Sequence, residues 1–129
     1  MMKLSALGLF ALSACIQTPE PPSGKQAFLG SCASCHGFDA KGTGEMADVL
    51  FKMPPDLTTL SARNGGVFPR DYVMSTIDGL SRAPHFSGAM PEFGAGDMGD
   101  TVIVEKDGLG TPVPAVLLAL TEYLEGVQE

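Results

Sequence analysis

The sequence predicts an all-α domain of four or five short helices, with a small β-hairpin near 101–113, gathered around one bulky group that is not protein. Three observations predict it. The chain has 129 residues, room for a single domain. Apolar residues recur at helical spacing in short stretches punctuated by 16 Gly and 10 Pro, so the helices are short and the loops long. Hydrophobic residues make up 44% of the chain, yet Trp is absent and aromatics are 7%. A core is available, but few large rings fill it.

The elements follow in order. Residues 1–14 carry Lys3 ahead of an apolar run from Leu4 to Leu12, too short to span a hydrocarbon layer of about 30 Å. Leu12-Ser13-Ala14-Cys15 resembles a bacterial lipoprotein signal, in which the cysteine becomes the lipidated first residue. Alternatives are a plain secretory signal with an incidental cysteine, or a first core helix. The lipoprotein reading makes 15–22 a Pro-rich tether (Gln17-Thr-Pro-Glu-Pro-Pro22) and 23–129 the folded domain. Ser23 suits an N-cap, and Gly24–Ala33 reads as a first helix with Phe28 and Leu29 on its buried side. Gly37–Gly44 is a Gly-rich loop. Glu45–Lys52 suits a short helix stopped by Pro54-Pro55, and Thr58–Arg63 another, ended by Asn64-Gly65-Gly66. Pro69 suits the first position of a helix over Arg70–Asp78, with Tyr72, Val73 and Ile77 at helical spacing and Gly79 ending it. Leu80–Gly99 is a long loop. Thr101–Glu105 is the β-like run, and Asp107-Gly108 a hairpin turn leading to Thr111–Val113. Val113–Val127 is the strongest helix, with Val116, Leu117, Leu120, Tyr123, Leu124 and Val127 on one face.

The formal net charge is −7, which excludes nucleic acid as a natural partner. The acids are spread along the chain as a solvated surface. Three cysteines leave one unpaired: Cys32 and Cys35 pair by spacing, and Cys15 is accounted for by lipidation.

The chemistry concentrates in Cys32-Ala33-Ser34-Cys35-His36. Two thiols three apart at a helix end can each form a thioether with a haem vinyl group, and the next residue, His36, then sits beside the iron as an axial ligand. One covalent haem c follows. Other uses of the pattern stay open. A zinc site would draw on Cys32, Cys35, His36 and His85, but a second cysteine pair is missing. A thiol–disulfide exchange pair belongs beside a βαβ pattern, which this sequence lacks. A structural disulfide suits an exported protein.

A carrier haem needs a sixth ligand, and a methionine thioether raises the potential. Met46, Met53 and Met74 lie in or beside helical patterns and read as core packing. Met98 lies in a Gly-Asp-rich stretch. Met90, in Gly88-Ala89-Met90-Pro91-Glu92-Phe93, is outside any helix, where Pro91 stiffens the loop. Met90 is the chosen ligand, and His85 its rival.

At this point the sequence resembles the class I c-type cytochromes, in a bacterial lipoprotein form, over nearly all of 23–127. Gly24 and Phe28 precede Cys32 by eight and four residues, as in that family's first helix. Pro55-Asp56-Leu57 resembles its Pro-x-Leu, and Met90-Pro91 its axial-ligand segment. Leu120 and Tyr123-Leu124 resemble its closing helix, which crosses the first near Gly24 and Phe28. The resemblance implies a cytochrome c fold and a role for Pro55, whose carbonyl would accept a hydrogen bond from the His36 ring. Two features depart from the mitochondrial members: the chain is acidic where they carry lysines around the haem edge, and Asp97–Pro114 looks like an insertion.

The expected function is electron transfer without catalysis, with His36 and Met90 saturating the iron. The expected partners are a redox donor and acceptor, and a membrane through the lipid on Cys15, on the periplasmic face. The alternatives are a haem sensor or peroxidase-like protein with an open sixth site, a thiol–disulfide exchange protein, and a subunit serving a dehydrogenase or oxidase.

Overall fold

A computed structural model describes residues 22–81 and 89–129. The signal segment 1–14, Cys15 with most of the 15–22 tether, and His85 lie outside the described residues. The described chain forms five short helices and one two-stranded antiparallel sheet: α1 Gly24–Ser31, α2 Ala33–His36, α3 Leu60–Arg63, α4 Arg70–Asp78, β1 Thr101–Lys106, β2 Leu109–Pro114 and α5 Ala115–Gly126. No helix among the described residues is long and apolar enough to cross a membrane.

Helix α1 begins at Ser23, as expected, and the cap is reciprocal. The Gln26 N–H donates to the Ser23 hydroxyl (3.3 Å) while the Ser23 N–H donates to the Gln26 side chain (3.0 Å), so two otherwise unpaired donors are satisfied. The predicted helix Gly24–Ala33 breaks at Cys32, whose φ of −117° departs from helical values. The path resumes at once as α2. Phe28 is fully buried, but Leu29 is 40% exposed and does not share the buried side. The two residues are adjacent, and a 3.6-residue period turns neighbours about 100° apart.

Helix α5 is the other half of the core. Leu117, Leu120 and Leu124 are buried, while Val116, Tyr123 and Val127 are only half-buried. Thr121 is fully buried and satisfies its hydroxyl on the Leu117 carbonyl (2.8 Å). The α1–α5 contact is close because Gly24 has no side chain. A Cβ there would lie 1.9 Å from the Ala119 carbonyl oxygen. The Phe28 and Tyr123 rings meet at 5.3 Å between centroids, tilted 43°, within the favoured range for aromatic pairs.

Helix α4 spans the predicted residues and ends at Gly79 in the left-handed region (φ 101°); Pro69 sits at its N-cap rather than inside its first turn. Val73 and Ile77 face the core, while Tyr72 is exposed. Arg70 ties α4 to α5 through Glu122 (3.9 Å) and a short bond to Glu125. The hairpin pairs Thr101 with Pro114 through to Lys106 with Leu109. Its two-residue turn has φ of 53° at Asp107 and 78° at Gly108, positive at both central residues as an Asp-Gly hairpin turn requires. Val113 is buried and Val104 packs against the core, and Lys106 pairs with Asp71 of α4. The segment 97–114 therefore braces α4 and α5.

One predicted helix fails. Glu45–Lys52 forms only a single 3-10 turn, Ala47–Val49. The Met46 N–H is captured by the Ser34 carbonyl (2.8 Å) and the Gly44 N–H by Cys35 (3.2 Å), so the segment is pinned to α2 instead of starting its own helix. Met46 and Met53 are exposed and are not core packing; Met74 is.

Candidate haem site

The site residues fall at the end of the first helical path. Cys32 occupies the kink between α1 and α2, while Cys35 and His36 lie in the last turn of α2. Helical bonding continues through the kink, with Cys35 and His36 both donating backbone N–H groups to the Cys32 carbonyl (3.2 and 2.9 Å). The two thiols are half-buried and unbridged. Burial, reinforced by the neighbouring Cys35, pushes the Cys32 thiol up to about 11. Without haem it is a neutral thiol at physiological pH rather than a thiolate for disulfide exchange.

His36 is held from behind by the loop that follows it. Gly37 closes α2 by donating to the Ala33 carbonyl (2.8 Å), and the Gly42 N–H returns to the His36 carbonyl (2.7 Å). Gly42 has a φ of 82°, and a Cβ there would fall 2.3 Å from the Pro54 carbonyl oxygen. Glycine thus lets the Pro54-Pro55 backbone close over this loop. The Leu57 N–H then donates to the Ala40 carbonyl (2.8 Å). Loop 37–44 and segment 54–57 form one clamp beside the histidine.

Burial lowers the proton affinity of His36, and the Pro55 carbonyl acts in the opposite direction. Burial is the larger effect, so the ring is neutral at physiological pH and its nitrogen lone pair is available to a metal. Nδ1 is buried with no hydrogen-bond partner; the Pro55 carbonyl influences the ring without completing a bond to that atom. A buried imidazole nitrogen needs a partner; the Pro55 carbonyl is the acceptor acting on this ring, which leaves the other ring nitrogen to bind a metal. Two free thiols and a neutral, half-buried imidazole on five consecutive residues fit a covalently held haem.

Met90 is half-buried and packs against the same core as Phe28 and Leu120. The turn Phe93–Ala95 that follows it rests on the end of α4. Met98, set aside in sequence as part of a Gly-Asp-rich stretch, also packs on the core. Among the described residues no three His, Cys, Asp or Glu side chains gather to hold a metal ion; His85, which the zinc reading requires, lies outside them. Sequence reasoning missed Gln128, whose side chain bonds to the Leu57 carbonyl of the clamp (2.8 Å).

A sequence model of the Cytochrome c family matches residues 22–102, and the chain belongs to that family. It is also 38% identical over 95 residues to a cbb3-type cytochrome c oxidase subunit, FixPc, of Rhizobium leguminosarum bv. viciae. The match takes in 68% of this chain and 27% of that protein, so the chain spans about a quarter of its relative's length. No solved structure matches. As a cytochrome c, the chain carries covalent haem c and serves haem-based electron transfer.

Proposed function

We propose that this protein is a one-electron carrier rather than an enzyme, with thioether bonds at Cys32 and Cys35, His36 and Met90 as axial ligands, and Pro55 behind the histidine. The observation that carries this reading is the half-buried, neutral His36, its Nδ1 out of solvent, directly after two free, half-buried thiols. Bound haem supplies a reversible ferric–ferrous couple. The chain's own residues fix its position and surround it with apolar side chains, and a methionine ligand favours the reduced form. With both axial positions filled by protein, no substrate reaches the metal.

The carrier is held at the periplasmic face of a bacterial membrane by lipid on Cys15, with residues 15–22 as a tether. Each buried lipid methylene contributes about 0.8 kcal/mol, so several acyl chains anchor firmly. Tethering also raises its effective concentration near a membrane-bound donor and acceptor. The similarity to an oxidase subunit supports a second reading, that the domain delivers electrons to an oxidase complex.

Expression with cytochrome c maturation machinery tests the first reading. The expected outcome is haem that stays with the polypeptide through acid-acetone extraction, a ferric methionine–iron charge-transfer band, and little CO binding by the ferrous protein. Met90→Ala is expected to abolish that band and open the iron to CO. A wild-type protein that binds CO readily and lacks the band is a sensor or peroxidase-like protein instead. An unchanged Met90→Ala spectrum moves the ligand to His85 or another methionine. Cys15→Ser is expected to release the protein from the membrane fraction.

A further inference from the structure

The clamp beside His36 is fastened by residues distant along the chain. Gln128, two residues past α5, donates through its side-chain amide to the Leu57 carbonyl (2.8 Å) and to the Leu124 carbonyl (2.7 Å). Its side-chain oxygen accepts from the Ser61 N–H (2.9 Å), one of the early helix donors that α3 cannot satisfy internally. The next residue continues the seam. The Glu129 N–H donates to the Thr58 carbonyl (2.9 Å), and its carboxylate meets Lys41 (2.7 Å). Lys41 belongs to the 37–44 loop, so Gln128 and Glu129 grip both halves of the clamp. Leu57 also donates to Ala40 of that loop (2.8 Å).

We propose that Gln128 is a positioning residue for the proximal ligand: by fixing Leu57 and Ser61 it holds Pro55 against His36 and thereby sets the reduction potential. The inference rests on the reading of His36 as an iron ligand with Pro55 behind it. Side-chain chemistry selects glutamine here. Two carbonyls need donors and one N–H needs an acceptor, and a carboxamide supplies both. A carboxylate would face two carbonyls with no hydrogen to give, and leucine would fill the space and satisfy none of the three. A carbonyl held against the imidazole raises its basicity as a ligand and favours the ferric state. Releasing the clamp therefore raises the potential.

The test uses the haem-loaded protein and measures reduction potential, absorption spectrum and thermal midpoint together. Gln128→Leu and Gln128→Glu are expected to shift the oxidised-to-reduced ratio at fixed poise toward reduced by roughly threefold, a fraction of the ~10–100-fold that loss of an outer partner costs a metal ligand. The methionine–iron band should remain. Gln128→Asn, shorter by one methylene, should give a smaller shift and serves if the others fail to fold. Gly108→Val is the control, because it strains the hairpin turn without touching residues 57–61. It is expected to lower the thermal midpoint and leave the potential unchanged. Pro55→Ala should shift the potential in the same direction, and adding Gln128→Leu to it should add little, since the two act through one contact. If Pro55→Ala shifts the potential and the Gln128 variants lower only the thermal midpoint, Gln128 is merely structural and the inference is overturned. If Pro55→Ala itself leaves the potential unmoved, the reading of Pro55 falls and takes the inference with it.

Discussion

The crossing of α1, α4 and α5 and the segment 38–53 are similarly rich in apolar side chains, yet they treat them in opposite ways. In the crossing, Phe28, Val73, Ile77, Leu117, Leu120 and Leu124 are all buried against one another. In the segment, Phe38, Val49, Phe51 and Met53 are exposed. The first region saturates its hydrophobic surface with its own chain. The second leaves apolar surface that the described residues do not cover, of the kind that marks ligand or partner contacts. A haem protein with redox partners has use for both: a helical frame that holds the attachment motif, and an apolar flank.

Phe28→Ala removes a fully buried ring and should cost about 3–5 kcal/mol. Phe51→Ala should stay within about 0.5 kcal/mol, as surface changes do. Urea unfolding of the haem-loaded proteins compares them. If Phe51→Ala costs as much as Phe28→Ala, bound haem covers the segment as tightly as protein covers the crossing, and the contrast collapses. Gly24→Ala comes next. Its new methyl group would meet the Ala119 carbonyl at 1.9 Å, so α1 and α5 must part, at a cost of roughly 1–3 kcal/mol. A Gly24→Ala protein as stable as wild type would mean that the crossing is loose.

The same contrast explains what was legible in sequence. Elements bounded by local chemistry were readable. Pro69 and Gly79 bracket α4, Asp107-Gly108 makes the hairpin turn, and Ser23 caps α1, because each acts on its own or adjacent backbone. The Cys32–His36 motif stands out for the same reason, being five consecutive residues, and the family match agrees with the haem it suggests. Glu45–Lys52 misled because its residues suit a short helix ahead of Pro54-Pro55, with Met46 read as core packing. In fact Met46, Val49 and Phe51 are exposed, and α2 captures the Met46 N–H and that of Gly44 just before the segment. Leu29 misled through simple adjacency to Phe28. Gln128 gave no signal at all. Its bonds reach 67 and 71 residues back along the chain, and no local pattern marks a glutamine whose partners are backbone groups so distant.

The 54–57 half of the clamp follows directly on segment 38–53, and one of its anchors is a carboxylate. Asp56 accepts from the Thr58 hydroxyl (2.6 Å) and the Thr58 N–H (2.8 Å). These two bonds, the hydroxyl first, hold its carboxyl below the usual carboxylate range, with Lys41 and Arg63 adding a lesser pull. A carboxyl depressed on folding contributes stability above its unfolded value, and the contribution is lost as pH falls through the folded one. Asp56→Asn keeps the acceptor oxygen but removes the charge, so it should be less stable than wild type at neutral pH. The gap should close as the pH drops below the ordinary carboxylate range. Because Asp56 faces solvent, water screens most of the effect, and the pH dependence of the gap is more diagnostic than its size. Thermal midpoints of the two proteins across an acid series measure it. A gap that stays constant with pH would assign Asp56 to hydrogen-bond geometry alone and leave the clamp with no charge-dependent anchor at this position.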